Sequence, residues 1–409
     1  MAGVEKGPCI MTEVKFPPLR LKRNEARRLR AGHPWVFSNE VDAGVTPLTS
    51  FESGEAVEVQ DDHGKPIGTG YVNPHSLICA RLVSRDRSYP WSASLIVHRL
   101  KVALSLRERL FEQPFYRLVY GESDGLPGLT VDRYDQVLVA QITAAGMERM
   151  KSEIITGLDK VLRPSAIYLR NDNSIRALEG LPQYVEAPMG EIPEQIRLTE
   201  YGVDFDVPMQ GGQKTGWYFD QRDNRARVRT LVKGKRTLDV FSYIGAWGVQ
   251  AATAGAATVT CIDDSQPALE RALENAALNA VAEMIDTRRG DAFKVLQDLY
   301  AAGERFDVVI LDPPAFIKRK KNLKGGTAAY RRLNELAMRL LTKDAILVSC
   351  SCSYHLSRDD LVAQMFAAAR HLNHGMQILK VGGQALDHPI HPAIPETAYL
   401  KAVFARITV

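Results

Sequence analysis

The stretch Thr237-Leu-Asp-Val-Phe-Ser-Tyr-Ile-Gly-Ala-Trp-Gly248, followed by Val259-Thr-Cys-Ile-Asp-Asp-Ser265, decides how the rest of the chain is read. Its apolar run at 238–241 reads as a buried strand. A glycine-bearing turn follows around Gly245 and Gly248, and small residues at 250–252 continue as a helix. A second apolar strand at 259–262 ends in the acids Asp263 and Asp264. This order makes a nucleoside-binding unit. Glycine lets the backbone approach a ligand, and an acid at the end of the second strand can accept hydrogen bonds from a ribose. The turn lacks the G-x-G-x-x-G spacing, which leaves a pyrophosphate cradle without support. An ordinary βαβ unit with no ligand is the alternative.

Downstream, apolar runs at 307–311 and 346–349 alternate with helical segments. That alternation predicts an α/β fold with a parallel, doubly wound sheet. A ligand of such a sheet lies beyond the carboxyl ends of its strands, where Phe241, Asp263, Asp291 and Asp312 fall. The segment 399–406 reads as a closing antiparallel strand.

Two further elements carry chemistry. Asp307-Val-Val-Ile-Leu-Asp-Pro-Pro-Ala-Phe316 puts an acid and two prolines directly after a strand; the rigid rings make a wall against which a planar base can slide. Ile346-Leu-Val-Ser-Cys-Ser-Cys-Ser-Tyr-His-Leu-Ser357 puts Cys352 after a strand and before a turn, beside that loop, as a nucleophile would be. Cys350 lies inside the apolar run and reads as a buried small residue; a structural thiol is also the alternative for Cys352. The basic run Lys318-Arg319-Lys320-Lys321, with Arg331-Arg332 beyond a Gly325-Gly326 pair read as flexible, suits a loop closing over a phosphate backbone, or simply a solvated charge run.

Upstream, the glycine-rich loop at 211–216 leads into a helix whose first turn holds Asp220. Lys214-Thr215 lacks P-loop spacing and no apolar strand is read immediately before it, which argues against nucleotide hydrolysis. Residues 94–195 read as an α+β unit: an amphipathic helix at 94–111, strands flanking a Gly-Pro-rich turn at 116–134, a strand at 137–142, a helix at 150–162 and a strand at 166–170. Before a polar linker at 84–93, short alternating runs between 56 and 82 read as a small β-barrel. Residues 15–35 hold Lys15, Arg20, Lys22, Arg23, Arg27, Arg28 and Arg30 against the single acid Glu25. Such cation density suits phosphate neutralisation, or a solvated helix face.

With 409 residues, 45% hydrophobic and 24% charged, the composition is that of a soluble globular chain of roughly two or three domains. No apolar run approaches the ~20 residues that span a bilayer. The first ten residues carry no pattern, so Met11 is an alternative start and export is not expected. The five cysteines, Cys9, Cys79, Cys261, Cys350 and Cys352, have no zinc-site spacing. A reduced, cytoplasmic protein without metal is expected. The net charge of +4 says less than the distribution of the cations.

The stretch at 237–248 is similar to the first motif of class I S-adenosylmethionine methyltransferases, and 312–316 resembles the fourth. Nucleic-acid methyltransferases that act on exocyclic amines usually have an aromatic directly after Pro-Pro, where this chain has Ala315 with Phe316 one position later. The layout of 33–38, the turn at Gly64 and the run to Leu82 looks like a PUA domain, an RNA-binding pseudobarrel. With GESDGLPGLTVDRY, QKTGWYFDQRDNR, LDVFSYIGAWG, LDPPAFIK and SCSCSY in order, the chain resembles the RlmI-like family of large-subunit ribosomal RNA cytosine-C5 methyltransferases over nearly its whole length.

The resemblance implies a PUA domain (16–88), a central α+β domain (94–195) and a Rossmann-like methyltransferase domain (196–409). It implies S-adenosyl-L-methionine as cofactor, with Asp220, Asp239, Tyr243, Gly245, Asp263, Asp291 and Asp312 on the cofactor side and Phe241 at the strand end beside them. It makes Cys352 the nucleophile, with Asp312 hydrogen-bonding the base. The RNA contacts expected are Arg20, Lys22, Arg23, Lys318 and Arg319. The partner implied is 23S ribosomal RNA, with no membrane, and the first two domains offer surfaces for a homodimer. The chain departs from classical RNA cytosine-C5 enzymes in having no cysteine in the fourth motif, so another base must remove the C5 proton. A related guanine-N7 family shares the QKTG-type loop and the DPP motif; it and a noncatalytic ribosome-assembly factor stay open as alternatives.

Overall fold

The computed structural model describes residues 16–209 and 216–408. Cys9, Met11, Lys15 and the Gly-Gly-Gln-Lys-Thr part of the glycine-rich loop lie outside the described residues. Three larger sheets follow one another along the chain. The first has five short strands (Pro18–Arg20, Trp35–Phe37, Glu55–Gln60, Pro66–Val72 and Ile78–Ser84) wrapped around Leu19, Val36, Val57 and Val59. Alternation of apolar and polar residues in Glu55–Gln60 gives it one buried and one wet face, as a small barrel requires.

The second sheet runs Phe115–Tyr120, Leu129–Tyr134, Val137–Ile142, Ala166–Asn171 and Tyr184–Met189 in simple neighbouring order. Helices Ala93–Leu110 and Lys151–Leu162 pack on it through Ile96, Leu100, Ile154 and Leu158. The hairpin Gln195–Glu200 with Val203–Pro208 comes next. A strand therefore does precede the glycine-rich loop, contrary to the sequence reading. It belongs to an antiparallel hairpin and not to the parallel sheet, so the P-loop arrangement is still missing.

The third sheet has seven strands in the order Ile285–Arg289, Thr258–Asp263, Arg236–Val240, Phe306–Leu311, Leu341–Ser351, Lys401–Thr408 and Gly375–Gly382. The first five are parallel, and Lys401–Thr408 runs antiparallel to both its neighbours. Hydrophobic clusters cover both faces, which is why strands such as Phe306–Leu311 are apolar apart from Asp307 near the start. Strand order reverses at Arg236–Val240, with later strands on either side, which makes its carboxyl end the switch point where ligands of such sheets bind. Gly248 is not in the turn as expected: helix Ala246–Thr253 begins before it. Gly325 and Gly326, read as a flexible loop, lie in the first turn of helix Leu323–Met338. No helix among the described residues is long and apolar enough to cross a membrane.

Candidate active site

The chain leaves strand Arg236–Val240 through a turn that places Phe241 at φ 67°, Tyr243 at φ 50° and Gly245 at φ 79°. Left-handed backbone is costly for phenylalanine and tyrosine, and it persists because neighbours overdetermine it. The Phe241 and Ser242 amides both donate to the Ile262 carbonyl at 2.9 Å. Asp263 accepts from the Tyr243 amide and, with its other oxygen, from the Ser265 amide, both at 2.9 Å. A Cβ on Gly245 would lie 2.9 Å from the Cβ of Ala272, so the turn takes glycine for space as well as for its φ.

Asp239, inside the strand, is fully buried. One carboxylate oxygen accepts from the Gly248 amide at 2.9 Å, and a Cβ on Gly248 would press on that oxygen at 3.2 Å. Burial pushes its carboxyl up to about 8, with Asp312 and Asp263 adding to the rise. Its second oxygen and one oxygen of Asp220 are buried with no hydrogen-bond partner among the described residues. The other oxygen of Asp220 accepts from the Tyr399 hydroxyl. Asp291 is exposed and caps helix Ala292–Ala301 by accepting from the Lys294 amide at 3.0 Å.

Asp312 begins the loop after strand Phe306–Leu311. It accepts from Gln221 Nε2 and from Trp247 Nε1, each at 2.9 Å, one on each oxygen. Desolvation raises its carboxyl to about 6 against these donors. The next strand, Leu341–Ser351, ends one residue before Cys352, which is half-buried, while Cys350 is fully buried and its thiol is pushed well up by desolvation. The expected division between the two cysteines in exposure is therefore present.

The serines on either side of Cys352 fasten its turn. Ser351 donates to the Tyr330 hydroxyl at 2.9 Å, and Ser353 shares a 3.0 Å bond with the same hydroxyl. The Ile317 amide, in the Asp-Pro-Pro loop, donates to Ser353 Oγ at 3.1 Å. The thiol turn and the Asp312 loop are thus held to one buried tyrosine on helix Leu323–Met338. Lys401 Nζ donates to the Ser353 carbonyl at 2.6 Å and the Tyr399 carbonyl at 2.8 Å. Trp247, Gln221, Tyr330 and Lys401 escaped the sequence reading. A lysine inside the apolar run Leu400-Lys401-Ala-Val-Phe404 was the one signal that could have found any of them.

The basic stretches divide. Arg20 is half-buried and donates to Gln60 at 3.1 Å and to the Asp62 carbonyl at 3.4 Å; Arg28 pairs with Glu40 and Arg30 with Asp61. Lys22 and Arg23 are exposed, as are Lys318 and Arg319 at the start of the loop before helix Leu323–Met338. The second sheet is tied to the third through Arg107, which donates to the Asp387 carbonyl, and the Arg117 amide, which donates to the Asp387 carboxylate, both at 2.9 Å. Tyr120 from the second sheet meets the Tyr399 ring at 6.4 Å between centroids. No cluster of metal-ligating side chains occurs among the described residues.

Residues 183–406 match the S-adenosylmethionine-dependent methyltransferase family, and residues 19–85 match a PUA-like domain. Ribosomal RNA large subunit methyltransferase I of Klebsiella pneumoniae strain 342 is 38% identical over 407 residues, covering 97% of this chain and all of that one. Its counterpart from Photobacterium profundum is 39% identical over 389 residues, covering 93% and 97%. A solved structure of a candidate SAM-dependent methyltransferase from Streptococcus mutans has the same fold, with TM-score 0.80 and 18% identity over 95% of this chain and all of that one. Another methyltransferase structure, complexed with SAH, scores 0.81 at 19% identity over the same shares. The partnerless buried oxygens of Asp239 and Asp220 suit S-adenosylmethionine, whose ammonium and ribose hydroxyls are hydrogen-bond donors. The chain belongs to the family of S-adenosylmethionine-dependent methyltransferases that act on large-subunit ribosomal RNA.

Proposed function

We propose that the reaction is methylation of a cytosine at C5 in 23S ribosomal RNA through a covalent adduct with Cys352. The observation that carries it is a half-exposed thiol at a strand end, in a turn fastened through Ser353 to the loop of Asp312. Bound S-adenosylmethionine supplies an electrophilic methyl group. Cytosine C5 is too weak a nucleophile to take it directly. The Cys352 thiolate adds to C6, the π electrons shift towards C5, and charge grows at N3. Asp312 directly precedes the Pro-Pro pair, and on this reading its carboxyl, raised to about 6, donates a proton towards N3 of the base. C5 then takes the methyl group. Water takes the C5 proton, the C5–H electrons restore the C5–C6 double bond, the C6–S bond breaks to release the thiolate, and N3 returns its proton to Asp312.

On this reading Asp239, Asp220, Phe241, Tyr243, Gly245, Asp263 and Asp291 serve the cofactor, the last three mainly by shaping the turn and capping the adjoining helix. Nucleoside mass spectrometry of 23S RNA lacking the modification, incubated with protein and labelled S-adenosylmethionine, tests it. Labelled 5-methylcytosine is expected; labelled methylguanosine would reduce Cys352 to a structural thiol, and no label would favour an assembly factor.

Exposed Lys22, Arg23, Lys318 and Arg319 contact the RNA backbone. Neutralising Lys22 and Arg23 should weaken RNA binding and reduce the salt slope by about 1 for each phosphate that these side chains neutralise. An unchanged slope would remove the first domain's basic face from the interface. Arg20, bonded to Gln60 and Asp62, contributes to the fold of that face.

A further inference from the structure

Lys401 is 7% exposed, and its ammonium rests on two neutral carbonyls, those of Ser353 and Tyr399. Among the described residues no carboxylate is ion-paired with it. A buried cation held only by neutral acceptors is expensive, and such groups are normally matched by an anion. The closing strand puts Lys401 directly opposite Ser351, so the lysine reaches past the end of strand Leu341–Ser351 to the carbonyl that follows Cys352. Lys401 is thereby bonded to the turn that carries Cys352, at the residue next to the thiol.

Titratable groups that bear on the thiol include Tyr218 from the segment before Asp220, Tyr330 from helix Leu323–Met338 and Cys350 from its own strand. All three are held neutral by burial. Asp312 bears on Tyr218 and Cys350 as a negative charge. On the far side of the Cys352 turn, His355 and Arg358 line the same cleft as Lys401.

Building on the nucleophile reading above, we propose that Lys401 is the positioning residue that holds Cys352 as a thiolate before RNA binds, its ammonium anchored by the Ser353 and Tyr399 carbonyls. The thiol proton leaves to solvent and the lysine keeps its own, so the resting site carries a thiolate–ammonium pair. Burial lowers the ammonium to about 8, so the pair loses its cation as pH rises past that value. The lysine then acts on how much thiolate is present, and leaves cofactor affinity alone.

The pH dependence of Cys352 alkylation by iodoacetamide tests this in the full-length protein without RNA, read by mass spectrometry of the peptide bearing Cys352. In Lys401→Met the rate at pH 7 should fall about tenfold, the effect of one pKa unit on a thiolate. The profile should move to higher pH, and Lys401→Arg should restore most of the rate. SAH binding, measured in each variant, reports an intact fold; should Lys401→Met fail to bind, Lys401→Gln replaces it. Superimposable profiles in wild type and a folded neutral variant would overturn the proposal. The nucleophile reading fails separately, if Cys352→Ala retains turnover.

Discussion

The cofactor turn and the thiol turn stand on either side of strand Phe306–Leu311, at the same edge of one sheet, and are held by different means. At the first, the backbone of the turn and one neighbouring strand do the work. Phe241, Tyr243 and Gly245 adopt left-handed backbone, and the strand next door supplies the Ile262 carbonyl and the Asp263 carboxylate that fix it. At the second, Cys352 sits in a turn whose fasteners come from three separate elements: Tyr330 on a helix, Ile317 in the preceding loop and Lys401 on the closing strand. A backbone cradle suits a ligand that every turnover replaces with a near copy. A reactive sulfur instead needs its surroundings tuned, and side chains converging from several elements supply that.

The largest expected effect separates the two turns. Cys352→Ala should lower turnover at least about a thousandfold while SAH affinity stays within about twofold. Gly245→Val should do the reverse at the first step. A β-branched residue at φ 79°, with Ala272 2.9 Å from its Cβ, must rearrange the turn, so SAH affinity should drop by more than about tenfold. Isothermal titration with SAH beside single-turnover methylation checks both. Loss of SAH binding in Cys352→Ala would mean that the two turns are one structural unit.

This difference also explains what could be read from the sequence. The βαβ core, the acids at strand ends and the exposure of Cys352 relative to Cys350 follow from apolar runs and their punctuation, which are local. Strands Ile285–Arg289 and Gly375–Gly382 were missed because they lie at the sheet's edges, where Asp286, Arg289, Gln377 and Lys380 replace the apolar run of a buried strand. The Gly325-Gly326 pair looked like a hinge, yet Gly326 packs against Ile317 so closely that only glycine fits. Trp247, Gln221 and Tyr330 each present a side chain whose partner lies 21 or more residues away, and no local pattern announces such pairs.

Each turn also carries one buried group displaced to about 8 from opposite directions, Asp239 upward and Lys401 downward. Their effects on stability therefore have opposite signs. Asp239 holds its proton in the folded state up to about 8 but loses it near 4 when unfolded, so between those values the folded state binds more protons. Stability then falls as pH rises, by about 1.4 kcal/mol per pH unit at most for one proton. Lys401 loses its proton near 8 when folded and near 10.5 when unfolded, so above 8 its contribution to stability increases with pH. Urea unfolding of the cofactor-free protein between pH 5 and 7.5 isolates the acid. The difference between wild type and Asp239→Asn should shrink or change sign as pH rises, because only the wild type loses stability through this group. A constant difference across that range would mean that the acid is ionised in the folded protein, and the cofactor turn would then hold a full negative charge at Asp239 before any ligand arrives.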